Sequence, residues 1–129
     1  MSSASADYVD AALNAMVLIM MADGHGHESE ATSVTEQYKN LTGNDLERSV
    51  LDDMCKRLGD DYRSGWGVVV AADLTEEEKH RILSGCVVVC MADGELQDEE
   101  FALLGRIARA YGVHRSIMRK LMSDVWGDG

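Results

Sequence analysis

Proline is missing from this chain, aromatic residues make up only 5% of it, and cysteine occurs three times. Without proline there can be no proline-rich linker, and each break between elements has to be made by glycine or by a capping residue. Three cysteines, an odd number in 129 residues, are too few for a disulfide scaffold and are typical of a reducing compartment. No basic stretch followed by an apolar core opens the sequence, so we expect no secretory signal and a cytoplasmic location.

Long apolar runs are lacking as well. The longest apolar runs, at residues 15–22, 66–72 and 86–92, fall far short of the ~20 residues that span a bilayer. We therefore expect that this chain is not an integral membrane protein. Basic residues number 12 against 23 acidic ones, which gives a net charge of −11. This balance argues against nucleic-acid binding, because phosphate contacts need basic patches.

Recognisable enzyme motifs are also absent. The sequence contains no Ser-His-Asp pattern, phosphate-binding loop or dinucleotide fingerprint. A carboxylate cluster with a metal can support hydrolysis, but nothing supplies an obvious substrate pocket. We therefore expect a protein that is not an enzyme, and a metal-dependent hydrolase is the weakest of the alternatives.

Apolar residues recur at spacings of three and four through most of the chain, which predicts a single all-α domain over residues 1–129 with about seven helices. Residues 60–72 are ambiguous because three consecutive valines would suit a strand, yet no other segment offers a strand to pair with. Asn44 is a candidate N-cap, and Thr75 with Glu78 predicts a capping box. The expected helices cover about residues 7–22, 28–41, 45–58, 60–72, 76–92, 98–111 and 117–126.

An internal repeat with an offset of 70 residues is the main signal. The sequence MMADG at residues 20–24 matches CMADG at residues 90–94, and a glutamate, Glu30 or Glu100, follows each aspartate seven residues later. Two pseudo-symmetric helical hairpins around two very apolar helices would produce such a pattern. The two halves cover about residues 7–58 and 75–126.

Four carboxylates of the repeat are candidates for one shared cation site: Asp23, Glu30, Asp93 and Glu100. The glycine after each aspartate permits a tight reversal of the chain. If the two apolar helices pack antiparallel or cross closely, the four carboxylates converge and repel one another unless a cation lies between them. Carboxylate oxygens suit Ca²⁺, Mg²⁺ or Mn²⁺. The motif is not an EF-hand, since Met and Ala precede each aspartate. Alternatively, all four are helix caps.

Further metal ligands could come from residues beside these motifs, namely His25, His27, Glu28 and Glu99. Imidazole favours Zn²⁺, Ni²⁺ or Cu²⁺, but the spacing matches no known zinc pattern, so Zn²⁺ is the weaker candidate. A solvated glycine-rich loop is the alternative for the two histidines. Cys86 and Cys90 share a helix face and could form a thiol site, although their apolar surroundings favour a role as small core residues.

The two ends of the chain differ in charge. Beyond residue 100 there are five basic and two acidic residues, whereas residues 1–100 hold seven basic and 21 acidic ones. This basic end could dock a protein partner or the anionic face of a membrane, or it could be a solvated helix surface. Its basic residues are Arg106, Arg109, Arg115, Arg119 and Lys120.

The sequence resembles the TerB-like family, whose founding members belong to bacterial tellurite-resistance operons. The segments that carry the resemblance are MADG at residues 21–24 with Glu30, MADGELQDEE at 91–100, DLTEEE at 73–78 and LGRIARAYGV at 104–113. It implies an all-helical, pseudo-symmetric bundle with a divalent-cation site at Asp23, Glu30, Asp93 and Glu100. It also implies a non-enzymatic role in stress-response assemblies, with protein partners that are often associated with membranes.

Two functional hypotheses result. The first is a small module that holds a divalent cation where the two repeats meet. The second is a metal-free interaction domain, which docks a partner through its basic C-terminal helices or its acidic face.

Overall fold

The structure is a computed structural model that describes residues 6–22, 28–92 and 98–126. Within these ranges all regular secondary structure is helical, which confirms the predicted all-α class and the seven expected helices. Residues 60–72, ambiguous in the sequence, contain a helix. The helices are α1 (Ala6–Met21), α2 (Glu28–Thr42), α3 (Arg48–Asp60), α4 (Tyr62–Ala71), α5 (Glu76–Cys90), α6 (Asp98–Ala110) and α7 (Arg115–Trp126).

Helices α1 and α5 form the centre of the bundle. In α1, every residue from Ala11 to Met20 is buried except Leu13, which is half-buried. In α5, most residues from Ile82 to Cys90 are buried as well. A helix that is apolar on all sides is stable in water only when other helices surround it, so the two apolar segments of the repeat became the core.

The central helices α1 and α5 run in the same direction. Near their starts, the backbone N–H of Asp73 donates to Oδ2 of Asp7 at 3.1 Å, and the Arg81 guanidinium lies 5.8 Å from the Tyr8 ring centre. Further along, a Cβ placed on Gly85 would lie 3.5 Å from Sδ of Met16. Of the two arrangements considered from the sequence, antiparallel packing or a close crossing, the antiparallel one is therefore wrong, and both central helices end on the same side of the bundle.

The outer helices repeat one packing scheme. Helix α1 contacts α2 and α3, and in the second half α5 contacts α6 and α7. Each second helix also reaches the central helix of the other half, since α2 contacts α5 and α6 contacts α1. Helix α4 has no counterpart in this scheme and is tied to the second half by a hydrogen bond from Oη of Tyr111 to the carbonyl oxygen of Val69, at 3.1 Å.

At two of the predicted helix boundaries, hydrogen bonds between residues close in sequence decide where the helix begins or ends. The capping box is confirmed: Glu78 N–H donates to Oγ1 of Thr75 at 3.1 Å, and Thr75 N–H donates to Oε1 of Glu78 at 2.9 Å. The N-cap predicted at Asn44 is wrong, because α3 begins at Arg48. Gly43 ends α2 with φ of 78°, and Asn44 N–H then donates to Oγ1 of Thr42 at 3.1 Å, which makes Asn44 part of the turn.

Among the helices described, none combines the length and apolar character needed to cross a bilayer. This agrees with the shortness of the apolar runs in the sequence.

Candidate functional site

The predicted four-carboxylate site lies only partly within the described part of the chain. Asp23, Asp93, His25 and His27 fall outside the described residues. Glu30 and Glu100 are described, and they occupy equivalent positions in the first turns of α2 and α6.

Glu30 and Glu100 are wholly buried, with 0% of each side chain exposed. Their neighbours Ser29 and Glu99 are exposed. In both helices the buried residue is therefore the glutamate that follows the aspartate of the motif by seven positions. Moving an ionised carboxylate out of water costs several kcal/mol unless charges or hydrogen-bond donors compensate it. Acids in a first helical turn are favourable even at the surface, so position in the helix alone does not account for this burial.

The start of α2 lies beside the end of α5. A shallow cleft is lined by Ser29 and Ser33 from the first turns of α2 and by Met91 and Ala92 directly after α5. The turn that carries Glu30 therefore lies close to Met91 and Ala92, the last described residues before the second Asp-Gly motif. This contact joins the two halves of the repeat at the side of the bundle where both central helices end.

The accessory acids lie at the surface. Glu28 accepts a hydrogen bond from Nη1 of Arg48 at 2.6 Å, and Arg48 Nε also donates to Oδ1 of Asp52 at 2.9 Å. These two hydrogen bonds raise the pKa of Arg48, and the bond to Asp52 has the larger effect. Glu99 is exposed in the first turn of α6. Within residues 6–22, 28–92 and 98–126, no three or more His, Cys, Asp or Glu side chains form a group that could hold a metal.

The basic residues of the C-terminal end are divided between two environments. The Arg106 guanidinium lies over the Trp66 ring, 5.0 Å from its centre, and this places it against α4. Arg109, Arg115 and Arg119 instead line a groove of about 740 Å³ between α6 and α7. Lys120 is exposed.

The apolar residues of this groove, among them Phe101, Met118 and Met122, were not predicted to dock a partner. A signal for the methionines is present in the sequence, because each lies three residues after a groove arginine and so shares its helix face. It could not be separated from the signal of the adjacent stripe of α7 at Ile117 and Leu121, because all four of these residues pack against the core.

The model of one protein family, described as tellurite resistance protein TerB, matches residues 9–123. The chain belongs to the TerB family. The match extends from α1 into α7 and so includes both halves of the repeat. A comparison with curated proteins and one with solved structures gave no match.

In this TerB-family chain Cys86 and Cys90 are buried, Cys55 is half-buried, and none of the three forms a disulfide. Burial raises the pKa of the Cys86 thiol well above its usual value, and the neighbouring Cys90 adds to this. A thiol held neutral in an apolar core is a poor nucleophile and a poor metal ligand. The burial of both residues agrees with the interpretation as small core residues.

The raised thiol pKa predicts that the TerB-family protein loses stability at alkaline pH. In the unfolded chain Cys86 ionises near pH 8.5, below its folded pKa, so the unfolded state holds fewer protons above that pH and stability falls. The raised pKa of Tyr111 continues the decline above about pH 10. Urea unfolding between pH 7 and 10 should show a slope from Cys86 that approaches about 1.4 kcal/mol per pH unit towards the upper end of this range.

The matched variant for this prediction is Cys86→Ala. Its free energy of unfolding should fall less steeply between pH 8.5 and 10 than that of the unaltered protein. An identical slope in both proteins would contradict the assignment to Cys86.

Proposed function

We propose that this TerB-family protein is a non-enzymatic module of a bacterial stress-response or tellurite-resistance system, and that it binds a divalent cation. The proposed ligands are the acidic residues of the repeated motif, Asp23, Glu30, Asp93 and Glu100. The observation that carries the proposal is the complete burial of Glu30 and Glu100 at equivalent positions of two half-domains. A cation between the halves would supply positive charge for both carboxylates.

The donor chemistry fits a hard cation. All four proposed ligands are carboxylates, and Ca²⁺, Mg²⁺ and Mn²⁺ prefer such oxygen donors. Glu30 and Glu100 are fixed on helices that pack against both central helices, which would hold their oxygens in place before the cation arrives. Asp23 and Asp93 would complete the coordination from the two connections. Zn²⁺ remains the weaker candidate, since it would depend on His25 and His27.

Thermal unfolding of chelator-stripped protein tests the proposal. Added Ca²⁺, Mg²⁺, Mn²⁺ or Zn²⁺ at about 100 times its dissociation constant should stabilise the fold by about 2.7 kcal/mol. For a domain of this size the midpoint should rise by roughly 5–15 °C. Asp23→Asn with Asp93→Asn should abolish the rise.

The matched control removes two exposed acids that lie outside the repeated motifs, Glu47→Gln with Glu77→Gln. This variant has the same net charge as the aspartate variant and should keep the full rise. No rise with any cation up to millimolar concentration, or an equal rise in the aspartate variant, would contradict the cation site and favour the interpretation as helix caps.

A second candidate function is metal-free docking of a protein partner through the C-terminal helices, favoured by the groove that Arg109, Arg115 and Arg119 line. A partner captured equally well in the presence of a chelator would support it. We also propose a cytoplasmic location, supported by the three free cysteines.

A further inference from the structure

The groove between α6 and α7 has an apolar floor that follows two helix faces. Helix α6 contributes Phe101, Leu104 and Ala108, and α7 contributes Met118 and Met122. Both helices pack against α5, and the groove of about 740 Å³ lies between them. Phe101, at the N-terminal end of the α6 stripe, is 47% exposed, which leaves a large aromatic surface uncovered.

Positive charge lines this groove, mainly towards the turn between α6 and α7. Arg109, Arg115 and Arg119 line it together with His114, and no acidic residue does so among those described. Arg115 and Arg119 are one helical turn apart on α7, a rise of about 6 Å. The rest of the molecule is strongly acidic, with seven basic and 21 acidic residues in positions 1–100, so this groove is where a negatively charged partner would be attracted.

We infer that the groove docks an acidic amphipathic helix of a partner protein. An amphipathic helix binds a groove of this kind by its apolar side chains at i, i+3, i+4 and i+7. Carboxylates at i and i+4 of that helix repeat at the same 6 Å rise as Arg115 and Arg119, and arginine binds carboxylates through paired hydrogen bonds. Methionines at the floor adapt to apolar side chains of different shape.

The distribution of charge favours a helix over a lipid. A single acyl chain offers one charged group, whereas three arginines line the groove from both of its helices. The repulsion between an acidic partner and the acidic body also restricts docking to this face.

Fluorescence anisotropy with the full chain and two labelled synthetic peptides tests the inference. Both peptides are about 18 residues long with leucines at i, i+3, i+4 and i+7, and they differ in carrying glutamates or lysines beside the leucines. The glutamate peptide should bind in the presence of a chelator and the lysine peptide should not. Arg115→Glu with Arg119→Glu should weaken binding of the glutamate peptide at least about tenfold and confer binding of the lysine peptide.

Two matched controls separate docking from charge and from folding. Lys56→Glu with Arg57→Glu makes the same charge change on exposed residues of α3 and should leave peptide binding unaltered. Phe101→Ala should weaken binding of the glutamate peptide at least about tenfold, as expected for a large aromatic contact. Val68→Ala, a change at another exposed apolar residue, should leave this binding unaltered. Unchanged thermal midpoints of the Arg115 and Phe101 variants confirm that they fold.

Three results would overturn the inference. The first is binding of the glutamate peptide that the Arg115 and Arg119 reversal leaves intact. The second is equal affinity for both peptides. The third is binding to vesicles of phosphatidylglycerol but not of phosphatidylcholine, with no binding of either peptide, which would assign the face to a membrane surface.

Discussion

Glu30→Gln combined with Glu100→Gln is expected to remove nearly all of the cation-dependent stabilisation, about 2.7 kcal/mol at 100 times the dissociation constant. Glutamine keeps the shape of each side chain in its wholly buried position but removes the negative charge and half of the oxygen donors. Hard cations bind poorly to sites with too few charged oxygens. The chelator-stripped variant should still unfold cooperatively, so that its thermal midpoint with and without cation can be compared.

The single variants Glu30→Gln and Glu100→Gln sharpen this test. If one cation is shared by both halves, each single change should remove most of the rise, since the site loses a ligand either way. If each half binds its own cation, each single change should leave about half of the stabilisation. Full stabilisation in the double variant would contradict the assignment of both glutamates as ligands.

Leu83→Ala should cost about 2–5 kcal/mol of unfolding free energy, the largest loss we expect from one substitution. Leu83 is 0% exposed in the central helix α5, and its truncation leaves a cavity among close-packed side chains. The repeat provides a matched comparison, because Leu13 is the residue 70 positions earlier and is only half-buried. Leu13→Ala should cost about 1–2 kcal/mol.

Urea unfolding of both variants measures this difference. The midpoint should fall much further for Leu83→Ala, with an unchanged dependence on urea concentration in both proteins. Equal losses would mean that the two halves are buried equally in solution, contrary to the structure.

The sequence predicted the helices well because their signals are local. The apolar spacing of α1 and α5 and the capping box at Thr75 depend on residues within one or two turns of each other. The prediction at Asn44 was wrong for a reason on the same scale. The backbone N–H of Asn44 donates to the hydroxyl of Thr42, and polar residues two positions apart that compete for one turn are hard to rank from sequence alone.

The features of the candidate site were less predictable because they depend on distant segments. A glutamate in a first helical turn is compatible with exposure, and only the packing of α2 and α6 against the central helices decides that Glu30 and Glu100 are buried. The sequence repeat indicated which carboxylates to consider but not the parallel course of α1 and α5. The groove also depends on the distance between α6 and α7, and no single residue of either helix determines that distance.

Consecutive residues at the start of α6 serve the two proposed sites. Glu100 is wholly buried, and Phe101, rotated by about 100° around the helix axis, lies in the groove. If the cation holds this turn in place and the partner binds only the ordered turn, the two binding equilibria are thermodynamically linked. By reciprocity, the factor by which the cation tightens partner binding equals the factor by which the partner tightens cation binding. Such a chain would respond to a partner and an ion occurring together, with α6 as the shared element.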